Sequence, residues 1–140
     1  MDDRVRVIEY LYATVGDRPG EARRLLEHLS ERGVNLVAFT AFPVGGGHAQ
    51  LDFVAENVSR LREAAADAKV DLVGPKKAFL IQGDDRIGAL HQYHLKLANA
   101  GINVRASNGV CGGTGTFAFV LWVSPEDFDV AAKVLEARPV

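Results

Sequence analysis

Apolar and polar positions along the chain follow two rhythms, and the rhythms succeed one another in a fixed order. Residues 4–14 are rich in β-branched and aromatic types, among them Val5, Val7, Ile8, Tyr10 and Tyr12, which predicts a strand. A turn is expected at Val15-Gly16-Asp17, with Asp17 as helix N-cap and Pro19 in the first helical turn. Ala22, Leu25, Leu26 and Leu29 then recur at i, i+3, i+4 and i+7, while Glu21, Arg23, Arg24, Glu27, Glu31 and Arg32 fill the other face. That spacing predicts an amphipathic helix, stopped at Gly33. Val34–Phe42 reads as a strand and Gly45-Gly46-Gly47 as a hairpin turn. Ala49, Leu51 and Phe53 alternate with Gln50 and Asp52, as in a half-buried antiparallel strand. Val58, Leu61, Ala64 and Ala68 predict a second helix, and Val70–Val73 a short closing strand. The order is β-α-β-β-α-β, a split ferredoxin-like unit.

The same order returns further along. Lys77–Gln82 predicts a strand, Arg86–Ala100 a helix, and Ile102–Val110 with Thr116–Val123 a hairpin turning through Gly112-Gly113. Ser124-Pro125 opens a last helix. Only residues near Val140 remain for a closing strand, so this unit is expected to be incomplete or finished by a neighbouring strand. Shifted by 68 residues, the chain matches itself at turns and helix ends: Asp17-Arg18-Pro19-Gly20 on Asp85-Arg86-Ile87-Gly88, Leu29 on Leu97, Gly33-Val34-Asn35 on Gly101-Ile102-Asn103, Gly45 on Gly113 and Gly47 on Gly115. Turn geometry restricts residue choice at such places. The expected fold class is α+β, with two ferredoxin-like βαββαβ units of antiparallel sheet, 1–74 and 75–140, joined near Val73-Gly74-Pro75. Phe117, Phe119, Leu121 and Val123 alternate with Ala118, Val120 and Trp122, so both faces of that strand are apolar. The second face calls for a cover, and a homodimer or higher homo-oligomer is the economical one.

Composition narrows the function classes. Of the 140 residues 48% are hydrophobic and 24% charged, with a net charge of -2, which is ordinary for a globular chain. No basic stripe is present, so nucleic acid is not an expected partner. No apolar run approaches the roughly 18 residues of a membrane helix, so a membrane is not expected either. The single cysteine, Cys111, excludes a disulfide scaffold, and Met1-Asp2-Asp3-Arg4 lacks the features of a secretory signal. A soluble cytoplasmic protein is the expectation.

The duplicated motif resembles the ACT family, in which a strand runs into an Asp/Asn-Arg-Pro-Gly turn opening a helix, and Gly-Ile/Val-Asn opens the next strand. Here those are Asp17-Arg18-Pro19-Gly20 with Gly33-Val34-Asn35, and again Asp85-Arg86-Ile87-Gly88 with Gly101-Ile102-Asn103. Ile87 departs from the usual proline, and His94 stands where the first copy has Leu26. The resemblance covers nearly the whole chain and is nearest to stand-alone tandem-ACT proteins. It implies a non-catalytic regulator, with paired modules and a small ligand, most often an amino acid, bound at ACT–ACT interfaces. No cofactor and no metal are implied.

On this resemblance the candidate ligand-binding residues are Asp17, Arg18, Pro19, Gly20 and Asn35, with Asp85, Arg86, Gly88 and Asn103 as the second set. Their chemistry suits an α-amino acid. A helix N-terminus near Arg18 offers backbone N–H groups to a carboxylate, and Asp17 can accept from an ammonium group. The same residues have plainer roles as caps, packing glycines and strand-end partners. His91 and His94 at i, i+3 could share a metal, but a structural role fits better because His94 aligns with core Leu26. His48 follows the glycine turn and could face a ligand, and Cys111 lacks a paired base. Rival readings are a ligand-free interaction scaffold, an acylphosphatase-like hydrolase using Arg18 and Asn35, and an RNA binder using Phe117 and Phe119.

Overall fold

The structure is a computed structural model that describes residues 2–140. Its elements are β1 (Arg4–Gly16), α1 (Glu21–Glu31), β2 (Leu36–Gly45), β3 (His48–Ala55), α2 (Val58–Asp67), β4 (Val73–Asp84), α3 (His91–Asn99), β5 (Val104–Cys111), β6 (Thr116–Val123), a single 3-10 turn (Pro125–Asp127) and α4 (Phe128–Val134). The fold is α+β and ferredoxin-like, with an antiparallel sheet ordered β2-β3-β1-β4-β6-β5. Two compact units divide it, Tyr10–Lys76 and a second made of residues up to Glu9 with Lys77–Val140. The expected division into 1–74 and 75–140 follows chain order. Compactness instead groups the N-terminal stretch with the C-terminal half, and β1 and β4 each contribute residues to both units.

In the Tyr10–Lys76 unit, β3 pairs with β1 on one side and β2 on the other, so that Phe53 faces Leu11 and Phe39. The period-two alternation puts Leu11, Ala13, Val15, Leu51 and Phe53 on one face. Helical periodicity brings Leu25 and Leu29 of α1 and Leu61 and Ala64 of α2, with Ala68, against them. Asn57 caps α2, its side chain accepting from the Arg60 backbone N–H at 3.1 Å. Arg24 of α1 donates to the Ala68 carbonyl at 3.2 Å and ties the two helices.

In the other unit, Phe79 and Ile81 of β4 and Phe117, Phe119, Leu121 and Val123 of β6 meet Tyr93 and Leu97 of α3 and Phe128 and Ala131 of α4. The Phe79 and Phe128 rings stack at 4.5 Å. The expected shortage of a closing strand is met by β1: Val5 and Val7 pack into this core. The chain end adds only a parallel bridge, Val7 N–H to Arg138 C=O at 2.8 Å and Arg138 N–H to Val5 C=O at 2.9 Å.

Two expectations are corrected. The short strand expected at 70–73 does not form as such: residues 70–72 are not strand, and Val73 instead opens a longer strand, Val73–Asp84, that contains the one expected at 77–82. Pairing with β6 begins only at Phe79, so the N–H that Pro75 lacks removes no bond from that ladder. The helices start later than expected, at Glu21 and His91 rather than near Arg18 and Arg86. Gly20 (φ 89°) and Gly88 (φ 80°) hold left-handed backbone, which a right-handed helix excludes. Gly20, not Asp17, is therefore the N-cap residue of α1, and no side chain caps it. On the second face of β6, Val120 is buried opposite Leu80. Among the described residues no helix is long and apolar enough to cross a membrane.

Asp52 is the one charged residue among the described positions that is buried; on β3 it faces Tyr12 and Thr40, and Gln50 donates to it at 2.8 Å. Burial pushes its carboxyl above the usual value of 3.8, against the Gln50 bond and the nearby Lys76 charge. A raised acid pKa means the folded state binds the proton more tightly, so this group's contribution to stability falls as pH rises from 3.8 through its folded value. Asp52→Asn should raise the unfolding midpoint at pH 7 and flatten that fall, measured by urea denaturation across pH 4 to 7.

Candidate functional site

The residues marked out by the repeat lie at two strand-to-helix corners. At the first, β1 ends at Gly16, and the Asp17 N–H donates to the Gly47 carbonyl in the β2–β3 hairpin at 2.9 Å. The chain then bends through Arg18, Pro19 and left-handed Gly20 before α1 begins. Arg18 folds back over the end of β1: a Cβ on Gly16 would lie 2.9 Å from its guanidinium, so glycine leaves room for it. The guanidinium donates to Glu21 Oε1 at 2.8 Å and its side chain is 74% exposed. A cavity of about 230 Å³ opens there, between Gly16, Asp17, Arg18 and Ala22 on one side and Ala41, Phe42 and Pro43 of β2 on the other, floored by Ala49 and Leu51.

The second corner repeats the first. The Asp85 N–H donates to the Gly115 carbonyl at 3.0 Å, and both residues lie 68 positions beyond Asp17 and Gly47. Its cavity is about 410 Å³, within the range of small-ligand sites. Asp85, Arg86, Gly88, Leu90 and His91 line it with Gly109, Val110 and Cys111 of β5 and Phe117 of β6. Asp85, Arg86, Leu90, Gly109, Val110, Cys111 and Phe117 each stand 68 positions after a residue lining the first cavity. Two cavities at matching corners, walled by matching positions, are the outstanding feature of the surface.

The chemistry at the two corners differs. Arg86 is engaged by Asp3, donating to its two oxygens at 3.1 and 2.7 Å, whereas Arg18 bonds within its own turn. Asp85 accepts from the exposed Cys111 thiol at 3.3 Å, and that bond raises the thiol pKa, with burial and the carboxylate charge adding to it.

Of the predicted residues, Asp17 and Arg18 line the first cavity and Asp85, Arg86 and Gly88 the second, while Pro19 and Gly20 shape the corner without lining it. Asn35 and Asn103 are exposed, just before β2 and β5, at the ends of those strands away from the cavity walls. Six residue steps of strand separate Asn35 from Ala41, about 20 Å at the usual rise; its backbone carbonyl accepts from Glu56 N–H at 3.1 Å. The walls from β2 and β5 were missed. Small residues at matched positions, Ala41 and Gly109, are the only signal that could have marked them. His91 lines the second cavity; His94 bonds the Leu90 carbonyl through Nδ1 at 2.8 Å and packs 6.1 Å from the Phe119 ring.

The Asp85 bond raises the Cys111 thiol pKa above its usual value, so its removal should favour the thiolate. Asp85→Asn should lower the Cys111 pKa and raise its rate of alkylation by iodoacetamide near pH 8 several-fold. An unchanged rate would show that the carboxylate does not control the thiol.

No protein-family model matches the sequence, and no curated protein matches it. Solved structures do share the fold. Protein BT0572 from Bacteroides thetaiotaomicron is similar with a TM-score of 0.80 at 17% identity, over 94% of this chain and 88% of that one. The ligand-free regulatory subunit of aspartate kinase from Thermus thermophilus is similar with a TM-score of 0.66 at 15% identity, over 97% of this chain and 95% of that one. The regulatory subunit of aspartate kinase from Thermus flavus gives 0.64 at 14% identity, over 97% and 95%. At these identities the likeness establishes a common fold, one found in regulatory subunits.

Proposed function

We propose that this chain is a non-catalytic regulatory protein that binds a small carboxylate ligand, an amino acid, at its strand-to-helix corners, and that it works as a homodimer or higher homo-oligomer. The observation that carries the reading is the pair of matched cavities, each placing an aspartate and an arginine at the same bend. An arginine suits a carboxylate and an aspartate an ammonium group, the two ends of an α-amino acid. The ACT-like motif and the shared fold with regulatory subunits of aspartate kinase support the same direction. The oligomer is supported by β5, an edge strand exposed from Arg105 to Cys111, and by the exposed end of β2 from Ala41. Exposed edges of this length invite pairing with another chain. A second copy would bring new residues to cavities that are open on this chain alone. The hydrolase reading has less support, because Asn35 lies at the far end of β2 from Arg18.

A thermal-shift panel of the twenty amino acids at millimolar concentration tests the reading. A ligand present at a hundred times its Kd stabilises by about 2.7 kcal/mol, which raises Tm by several degrees. Arg18→Ala should remove most of the shift arising at the first corner. Solution mass should be at least twice 15.1 kDa. A panel in which no amino acid moves Tm would overturn the ligand assignment.

A further inference from the structure

Asp3 precedes β1, yet its side chain is only 16% exposed. Its carboxylate accepts from Arg86 Nη1 at 3.1 Å and Nη2 at 2.7 Å, from Gln92 Nε2 at 3.2 Å, and from the Tyr93 hydroxyl. The Arg86 bonds hold the Asp3 carboxyl below its usual value, against burial and with help from Tyr93; burial and Asp3 push Tyr93 up to about 12. A planar guanidinium fork, a phenol and a carboxamide converging on two oxygens form a receptor for a carboxylate as such, whatever molecule bears it.

Three further observations distinguish this from a mere clip on the chain end. Arg86 also lines the 410 Å³ cavity, so the residue that grips Asp3 belongs as well to the wall of a space open to a ligand. Gly83 makes room for the carboxylate, since a Cβ there would collide with it. At the first corner the position 68 residues earlier is Val15, and the counterpart of Tyr93 is Leu25; both are buried in the core. The receptor therefore exists at one corner only. The packing of β1 does not depend on Asp3: the first core residue of β1 is Val5, and its carbonyl bond to Arg138 does not involve residue 3.

We propose that Arg86, Gln92 and Tyr93 form a carboxylate-binding site occupied by the chain's own Asp3, so that a free carboxylate ligand gains this joint donor set only by displacing Asp3. This rests on reading the Asp85–His91 corner as a ligand site, and it makes the second corner self-inhibited while the first stands open.

The test uses acetate as probe, titrated into the full-length chain against chloride at constant ionic strength, with the Arg86 Nε–H resonance followed by NMR. In Asp3→Ala, acetate should shift that resonance saturably. In the unchanged chain half-saturation should need at least about tenfold more acetate, as for a site free less than a tenth of the time. Adding Gly83→Ala to Asp3→Ala should abolish the response, because the new Cβ fills the carboxylate's place. Asp3→Asn, of nearly the same shape, serves if Asp3→Ala does not fold, and should also titrate more readily than the unchanged chain. The proposal is overturned if acetate leaves Arg86 unmoved in the folded variant, or if the unchanged chain titrates equally well. The two readings fail separately. Amino acids raising Tm through Arg18 while acetate never moves Arg86 sinks only the self-occupied site. Acetate moving Arg86 while no amino acid raises Tm sinks only the amino-acid assignment.

Discussion

One backbone hydrogen bond at each corner, from Asp17 to Gly47 and from Asp85 to Gly115, holds the end of a strand against a hairpin it does not adjoin in sequence. The carbonyl of each glycine is aimed at the corner by left-handed backbone, φ 77° at Gly47 and 82° at Gly115. Once that bond is made, the chain has little freedom before the helix. It turns through a second left-handed glycine, Gly20 or Gly88, and enters α1 or α3 with Leu25 and Leu29, or Tyr93 and Leu97, facing the sheet. The cavity is what remains between the bend and the strand beyond the hairpin. Corner, helix direction and cavity are thus consequences of one constraint, which is why their lining positions correspond.

That constraint also explains what could be read from the chain. Left-handed φ is a demand that glycine meets without strain, so Gly20, Gly47, Gly88 and Gly115 recur at one spacing while most other positions differ. Periodicity was sufficient for α1 and for β6, where Phe117, Phe119, Leu121 and Val123 are all buried on the core side. The same glycine that marks the corner misled the helix boundary. Asp17 as an N-cap and Pro19 in a first turn pointed to an earlier start, but the backbone at Gly20 forbids helix there.

Tertiary arrangement was illegible for identifiable reasons. Pro75 looked like a break, because nothing local says that the ladder to β6 starts only at Phe79. Asn35 was a candidate on the ACT resemblance, through the motif that opens β2; the length of β2 carries it away from the wall formed by Ala41 to Pro43. Asp3 gave no signal at all. Its partners lie 83 to 90 residues away, and only the completion of the second unit by β1 brings it beside Gly83.

The two corners therefore share a backbone and differ in side chains at the positions that decide chemistry. Val15 and Leu25 close the first corner's interior with apolar bulk, leaving Arg18 to solvent and to Glu21. Gly83 and Tyr93 open the second interior to a carboxylate, and the strand that completes the unit delivers one. A backbone bond does not depend on side chains, so the corner can persist while its lining changes; a carboxylate receptor needs several side chains at once. The asymmetry is better understood as divergence of lining on a retained bend than as loss of one of two equal sites. On the proposed reading, such a chain presents one arginine directly to a ligand and a second only after an internal exchange, and two responses at different concentrations would follow from that order of access.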